Sequence, residues 1–168
     1  MVRIRDYIDS DLKTLAAIRN DIKLQKQLKV ADPKPQSTEE VVSWIKRRST
    51  EENSIFKTIA DIKNDHCLGF MQLVDIDKTN MYGYLGIAIA SKWQGEGYGG
   101  LAIKLFCGQL VNKGSIKKVM LSVLETNIRA IDLYKKLGFE QCGLYKKHFL
   151  QDGIRKNVLI MEKMLEDY

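Results

Sequence analysis

The chain has 168 residues, 45% of them hydrophobic and 29% charged, with a formal net charge of +6. That suits a single domain over residues 1–168 with a sizeable apolar core, and no apolar run approaches the ~18 residues of a membrane-spanning helix, which excludes that class. The opening MVRIRDYIDSD is acidic within ten residues and has no apolar signal core, which predicts a cytoplasmic protein.

Val2 to Arg5 alternates and reads as a short strand. Asp9-Ser10-Asp11 offers caps for a helix over Leu12 to Asn20, with Leu12, Leu15, Ala16 and Ile18 inward. Asp21 to Leu28 continues or restarts that helix. Asp32 to Gln36 holds both prolines and is a loop. Ser37-Thr38-Glu39-Glu40 has capping-box character and starts a helix whose apolar face is Val41, Val42, Trp44 and Ile45. A polar loop follows to about residue 53. Ile55–Asp61 and Cys67–Asp75 read as a hairpin around Lys63 to His66. A turn at Asp77 to Asn80 leads into a third strand, Met81 to Ala90. The glycine-rich Trp93–Gly100 precedes a helix over Leu101 to Asn112. A strand, Lys118–Leu124, precedes a helix opening at Asn127. Glu140–Leu150 and Arg155–Leu165 form a closing hairpin around the Asp152-Gly153 turn. The order β-α-α-β-β-β-α-β-α-β-β is α+β with a mixed, mainly antiparallel sheet.

The glycine-rich stretch carries the first chemical signal. Strand, glycine turn and helix in succession hold phosphates, because glycine permits positive φ and close backbone approach. The amides at the helix start then point at the anion, and the helix dipole favours negative charge there. The spacing Gly95, Gly97, Gly99, Gly100 is not the dinucleotide fingerprint, and no Lys-Ser or Lys-Thr follows, which excludes the triphosphate loop. What fits is Gln-x-x-Gly-x-Gly, as Gln94, Gly97 and Gly99. By itself this pattern has a second reading, a tight strand-to-helix turn without a ligand. The second signal is Asn127 to Phe139, NIRAIDLYKKLGF. Asn127 can cap a helix. Ala130, Ile131, Leu133, Tyr134 and Leu137 recur at helical spacing, and Gly138 suits the left-handed position after it. On spacing alone Tyr134 reads as a core aromatic.

In this order the two blocks resemble the acetyl-CoA pyrophosphate loop and the second signature, Asn-x-x-Ala-x-x-x-Tyr-x-x-x-Gly-Phe, of the GNAT superfamily of N-acetyltransferases. The resemblance covers nearly the whole chain. The branch it points to includes ribosomal-protein, polyamine and amino-sugar acetyltransferases. It implies a GNAT-like twisted sheet, mixed and mainly antiparallel, flanked by helices in a single domain. It also implies acetyl-CoA as cosubstrate and direct transfer to an amine in a ternary complex. The strand backbone at Ile87, Ala88 and Ile89 would hold the pantetheine arm and the thioester carbonyl. The backbone from Gln94 through Gly95, Glu96, Gly97, Tyr98, Gly99 and Gly100 would hold the pyrophosphate. Asn127 would bond the pantetheine or acetyl region. Tyr134 would be the general acid, since a phenol with a pKa of about 10 is protonated at neutral pH.

Many relatives carry Glu-Leu-Gly on the strand before the loop; this chain has Tyr84-Leu85-Gly86. The base is therefore open among Asp75, Asp77, Glu125 and Tyr84, or water. The acceptor pocket in this branch is built from about residues 19–44 and the last hairpin. Lys23, Lys26, Lys29 and Lys34 there suit an anionic acceptor such as a nucleotide-linked amino sugar. A small amine therefore ranks ahead of a protein N-terminus, and both ahead of a polyamine. A non-catalytic acetyl-CoA sensor is the reading from another class. Nucleic acid is disfavoured, because the basic clusters Lys46-Arg47-Arg48 and Lys117-Lys118 are short and no stacking-aromatic array is present. Cys67, Cys107 and Cys142 form no C-x-x-C pair, and His66 and His148 are the only histidines, so no disulfide framework and no metal site is expected. Dimers are common in the family, which leaves a homodimer open.

Overall fold

Among the described residues seven strands make one sheet in the order β1-β2-β3-β4-β5-β7-β6. They are β1 (Val2–Arg5), β2 (Ile55–Asp61), β3 (Cys67–Asp77), β4 (Tyr82–Ile89), β5 (Lys118–Leu124), β6 (Glu140–Gln151) and β7 (Ile154–Met164). Helices α1 (Leu12–Asn20), α2 (Ile22–Gln27), α3 (Thr38–Thr50), α4 (Tyr98–Lys113) and α5 (Ile128–Lys136) accompany them. The computed structural model describes residues 1–165. Every strand pairing is antiparallel except β4 with β5.

Helices cover both sheet faces, because alternate residues of the central strands are apolar on both sides. On one face Ile103, Phe106 and Leu110 of α4, with Ile131 of α5, join Met71, Leu73, Leu85, Val119, Leu121 and Met161. On the other, Leu15 and Ile18 of α1 and Val41, Trp44 and Ile45 of α3 join Phe56, Phe70 and Ala88. Trp44 stands edge-on to Phe56 and Phe70, with ring centroids 5.3 and 5.0 Å away. Each large apolar side chain so buried stabilises the fold by about 1.5–3 kcal/mol.

Local signals set most element ends. Ser37 accepts from the Glu40 amide while the Glu40 carboxylate accepts from the Ser37 amide, completing the capping box of α3. Asp21 caps α2 through the Leu24 amide at 3.0 Å. Asp152 (φ +52) and Gly153 (φ +75) make the tight turn between β6 and β7.

Three expectations are corrected. Asp11 does not cap α1; its carboxylate is buried and holds Arg5 through both oxygens, at 2.6 and 2.8 Å. Arg5 also reaches Asp65 in the β2–β3 turn at 2.7 Å, so this pair ties three parts of the chain together. Val42 lies outside the apolar face of α3 and is 42% exposed, because it falls off the row of Val41, Trp44 and Ile45. The helix after the glycine turn begins at Tyr98 rather than Leu101, so Tyr98, Gly99 and Gly100 are its first turn.

The feature that positions the site is a parting of strands. β4 and β5 pair only over Tyr82–Tyr84 against Lys118–Met120. Beyond that, β4 stays with β3 as far as Ile89, and β5 stays with β7 as far as Leu124. The sheet therefore opens into a wedge between Leu85–Ile89 and Leu121–Leu124.

Candidate active site

A cavity of about 520 Å³ runs from this wedge to the start of α4. Its walls include Ile87, Ala88 and Ile89 of β4, Gln94, Gly95 and Gly97 of the turn, and Tyr98, Gly99 and Gly100 of α4. Asn127 and Tyr134 close it from the α5 side. Of the residues expected to form the site, only Glu96 is outside the lining; it is exposed on the outer side of the turn. Leu24, Gln27 and Leu28 of the α2 region, Trp93, Arg129, Asp132 and Lys136 also line the cavity and were missed in the sequence. Arg129 sits inside the second motif, a spacing that marks helix faces but not which face meets a cavity.

The wedge exposes backbone. In an antiparallel pair only alternate residues bond to the neighbouring strand. The register gives Gly86 and Ala88 to β3, so Leu85, Ile87 and Ile89 face the position β5 has left, and of these Ile87 and Ile89 line the cavity. The turn beyond is shaped by its own residues. Gln94 Nε2 donates to the Ile89 carbonyl at 2.9 Å, folding the turn back on the strand end. Gly95 (φ +96) and Gly97 (φ +79) take backbone conformations that strain any L side chain.

At the start of α4 the helical ladder begins with the Leu101 amide bonding Gly97 O at 3.2 Å. The amides of Tyr98, Gly99 and Gly100 precede it, and no group among the described residues accepts from them. A Cβ on Gly97 would meet nothing within 4 Å, and one on Gly100 would stand 3.2 Å from Leu133, so helix α5 lies close behind this first turn. Bare amides, positive dipole and open space in front fit a pyrophosphate. Arg129 adds a cation there: its Nη2 lies 3.6 Å from where a Cβ on Gly95 would stand.

Asn127 is the N-cap of α5, its Oδ1 accepting from the Ala130 amide at 3.3 Å. Gly138 takes φ +82 just after the helix, and Phe139 is buried 5.8 Å, ring to ring, from Tyr134. Burial pushes the Tyr134 phenol up to about 12. Tyr134 lines the cavity, and no described residue bonds its hydroxyl.

The base candidates Asp75, Asp77, Glu125 and Tyr84 all lie outside the cavity lining. Asp77 accepts from the Thr79 and Asn80 amides and from Asn80 Nδ2, so it is a turn-former. Glu125 is exposed and accepts from Asn157 Nδ2 at 2.8 Å. Asp75 is exposed in the β3 irregularity with φ +50. Burial, then the neighbouring Tyr82, raises the Tyr84 phenol, which keeps it protonated and leaves it no phenolate to act as base at neutral pH.

The four lysines expected to gather an anion do not converge. Lys23 lines a neighbouring surface pocket, Lys26 pairs with Asp152 at 2.8 Å, and Lys34 pairs with Asp32 at 3.6 Å. Only Lys29 turns inward. Its Nζ donates to the Ser122 carbonyl at 2.8 Å and to the Ser122 hydroxyl, on the stretch of β5 that has left β4.

Comparison with known proteins fits this arrangement. A spermidine N-acetyltransferase from Vibrio cholerae, solved with CoA and spermine, superposes with a TM-score of 0.88. The two chains are 20% identical over 98% of this chain and 95% of that one. The microcin C7 self-immunity acetyltransferase, solved with acetyl-CoA and AMP, gives a TM-score of 0.82 at 19% identity, over 97% of this chain and 92% of that one. No curated protein sequence matches. The family model described as an acetyltransferase (GNAT) domain matches residues 2–140. Matched to that model over most of its length, and to its fold from end to end, the chain belongs to the GNAT acetyltransferase family.

Proposed function

We propose that this protein transfers the acetyl group of acetyl-CoA to a primary amine of a small molecule, by direct attack while both substrates are bound. The observation that carries this reading is the wedge between β4 and β5, which leads without interruption to the three unbonded amides of α4. Acetyl-CoA supplies an activated acyl group as a thioester. The cytoplasm is the compartment that this reading assigns, and the whole chain acts as one acetyltransferase domain.

The residues divide the work. Amides of the Gln94–Gly100 turn, strongest at Tyr98, Gly99 and Gly100, bind the pyrophosphate. The freed backbone groups of Ile87 and the freed amide of Ile89 orient the pantetheine arm and polarise the thioester carbonyl, whereas Ala88, opposite Phe70, turns its amide and carbonyl to β3. Asn127 keeps its amide Nδ2 for the same arm, its Oδ1 being spent on the helix cap. Tyr134 donates a hydrogen bond to the sulfur as it leaves. Burial weakens the phenol as an acid, yet the same burial weakens a departing thiolate's hold on its charge, so the two stay matched. Asp75, Asp77 and Glu125 lie outside the cavity and Asp132 is the carboxylate that lines it, so the proton of the attacking amine passes to water in the open cleft or to Asp132.

The test is thiol release from acetyl-CoA by the purified protein, against a nucleotide-linked amino sugar, spermidine, an aminoglycoside and short peptides. Calorimetry of acetyl-CoA binding runs beside it. Turnover with one class of amine establishes the reading. Tight binding with no turnover on any amine favours a sensor, and absence of binding removes the site.

A further inference from the structure

Lys29 stands where local rules favour another residue. In the turn that ends α2 the Lys29 amide donates to the Lys26 carbonyl at 3.2 Å and the Val30 amide to the Gln25 carbonyl at 3.0 Å. That is the Schellman pattern, whose left-handed residue is usually glycine. Here Lys29 takes it, with φ +64. The turn is clamped from outside: the buried Gln151 side chain donates to the Lys26 carbonyl at 3.1 Å, and Lys26 pairs with Asp152 at 2.8 Å. Leu28, the residue before, lines the cavity. A lysine held in a conformation that suits glycine directs attention to what its side chain does.

That side chain ends at the mouth of the wedge. Its Nζ donates to the Ser122 carbonyl at 2.8 Å and to the Ser122 hydroxyl. Successive residues of β5 turn their amides and carbonyls to opposite sides. The Lys118 amide donates to the Met81 carbonyl, on the β4 side, and the Glu125 amide to the Asn157 carbonyl, on the β7 side. Ser122 shares the parity of Lys118, so its carbonyl faces the position β4 has left. Gly86 and Ser122 each lie two residues beyond the last pair of these strands, Tyr84 with Met120. The amine is therefore bound at the level of Leu85–Ile87, where the freed groups of Ile87 open on the same gap. Its partners there are neutral, and burial lowers its hold on its proton. More of it is then the neutral form, which is the nucleophile.

We propose that Lys29 is itself an acceptor: acetyl-CoA bound in the cavity acetylates its Nζ within one molecule. This rests on the acetyltransferase reading and gives the site a resident substrate. The ammonium first gives one proton to water. The neutral Nζ then attacks the thioester carbonyl, the N–C bond forms as the C–S bond breaks, and CoA leaves as the thiol. The proton that the sulfur gains, through Tyr134, balances the one that the nitrogen loses in becoming an amide. Being held beside the wedge separates Lys29 from the surface lysines, which meet acetyl-CoA only by collision.

The test is mass spectrometry of the purified protein after incubation with excess acetyl-CoA and no added amine. The expected product carries one acetyl group, on the peptide holding Lys29, formed at least tenfold faster than on any other lysine. Its rate should be first-order, unchanged when the protein is diluted, and saturable at the acetyl-CoA Kd read by calorimetry. Gly97→Glu, which blocks the cofactor turn, should slow it at least tenfold at that concentration. Lys29→Arg, which can still bond Ser122, should leave no fast site. Acetylation of Lys29 no faster than of the other lysines, a rate that falls on dilution, or one that rises linearly with acetyl-CoA overturns the proposal. Binding of acetyl-CoA and turnover on an added amine, with Lys29 unmodified, overturns it alone. Absence of acetyl-CoA binding fails the acetyltransferase reading as well.

Discussion

Tyr134 shows how burial turns a common side chain into a specialised one. It lines the cavity, its hydroxyl has no partner among the described residues, and its pKa is pushed up to about 12. The working form is the protonated one, and the shift is upward, so the residue stays competent at neutral pH and loses its proton only as pH climbs toward that value. Turnover measured from pH 7 to 10 should show no alkaline decline due to Tyr134. A descending limb near pH 9 that disappears in Tyr134→Phe would contradict this. Tyr134→Phe itself should lower kcat by on the order of 10²-fold, the low end for a general acid. Acetyl-CoA affinity by calorimetry should change little. Asp11 illustrates the opposite use of burial. At 1% exposure it answers Arg5 through two oxygens and has no part in the cavity. Removing one member of such a pair leaves the other uncompensated, so Asp11→Ala should cost about 3–5 kcal/mol in urea unfolding. A loss below 1 kcal/mol would mean that Asp65 alone satisfies Arg5.

At the level of elements, the start of α4 does what its sequence announces, with one refinement. Gly97 is the left-handed N-cap, and the next three residues are already helix with free amides. A side chain at 97 meets no atom of the protein, so Gly97→Glu should fold, with a backbone strain of about 1–2 kcal/mol. It puts a carboxylate in front of the amides, and acetyl-CoA binding should weaken at least a hundredfold. Affinity within threefold of the parent would move the pyrophosphate away from this turn. The α5 motif was legible for the same reason: Asn127, Gly138 and the apolar row between them are local instructions for cap, stop and face. Local rules did not reveal Arg129, whose importance comes only from α5 lying beside Gly95.

For the whole molecule, the cavity is a consequence of topology. β4 follows β3 and β5 follows β7, and the two pairs separate after three residues of contact. A ligand that fills such a gap binds the folded state alone and stabilises it by mass action. Acetyl-CoA at about a hundred times its Kd should add about 2.7 kcal/mol. In a chain of this size that raises Tm by about 5–11 °C. The same excess of a pantetheine thioester lacking phosphates should act far less. Identical shifts from both would remove the glycine turn from the binding surface.

The sequence by itself determined the element order, the hairpins, the glycine turn and the capped α5, because each is written in neighbouring residues through propensity, capping and alternation. It also carried both family signatures, and with them the identity of the fold. Only the tertiary structure decided where β4 and β5 part, which of the lysines turns inward, and that Asp11 serves Arg5 instead of α1. These depend on which distant segments share a space, and charge, burial and partner are properties of that shared space rather than of any stretch of chain.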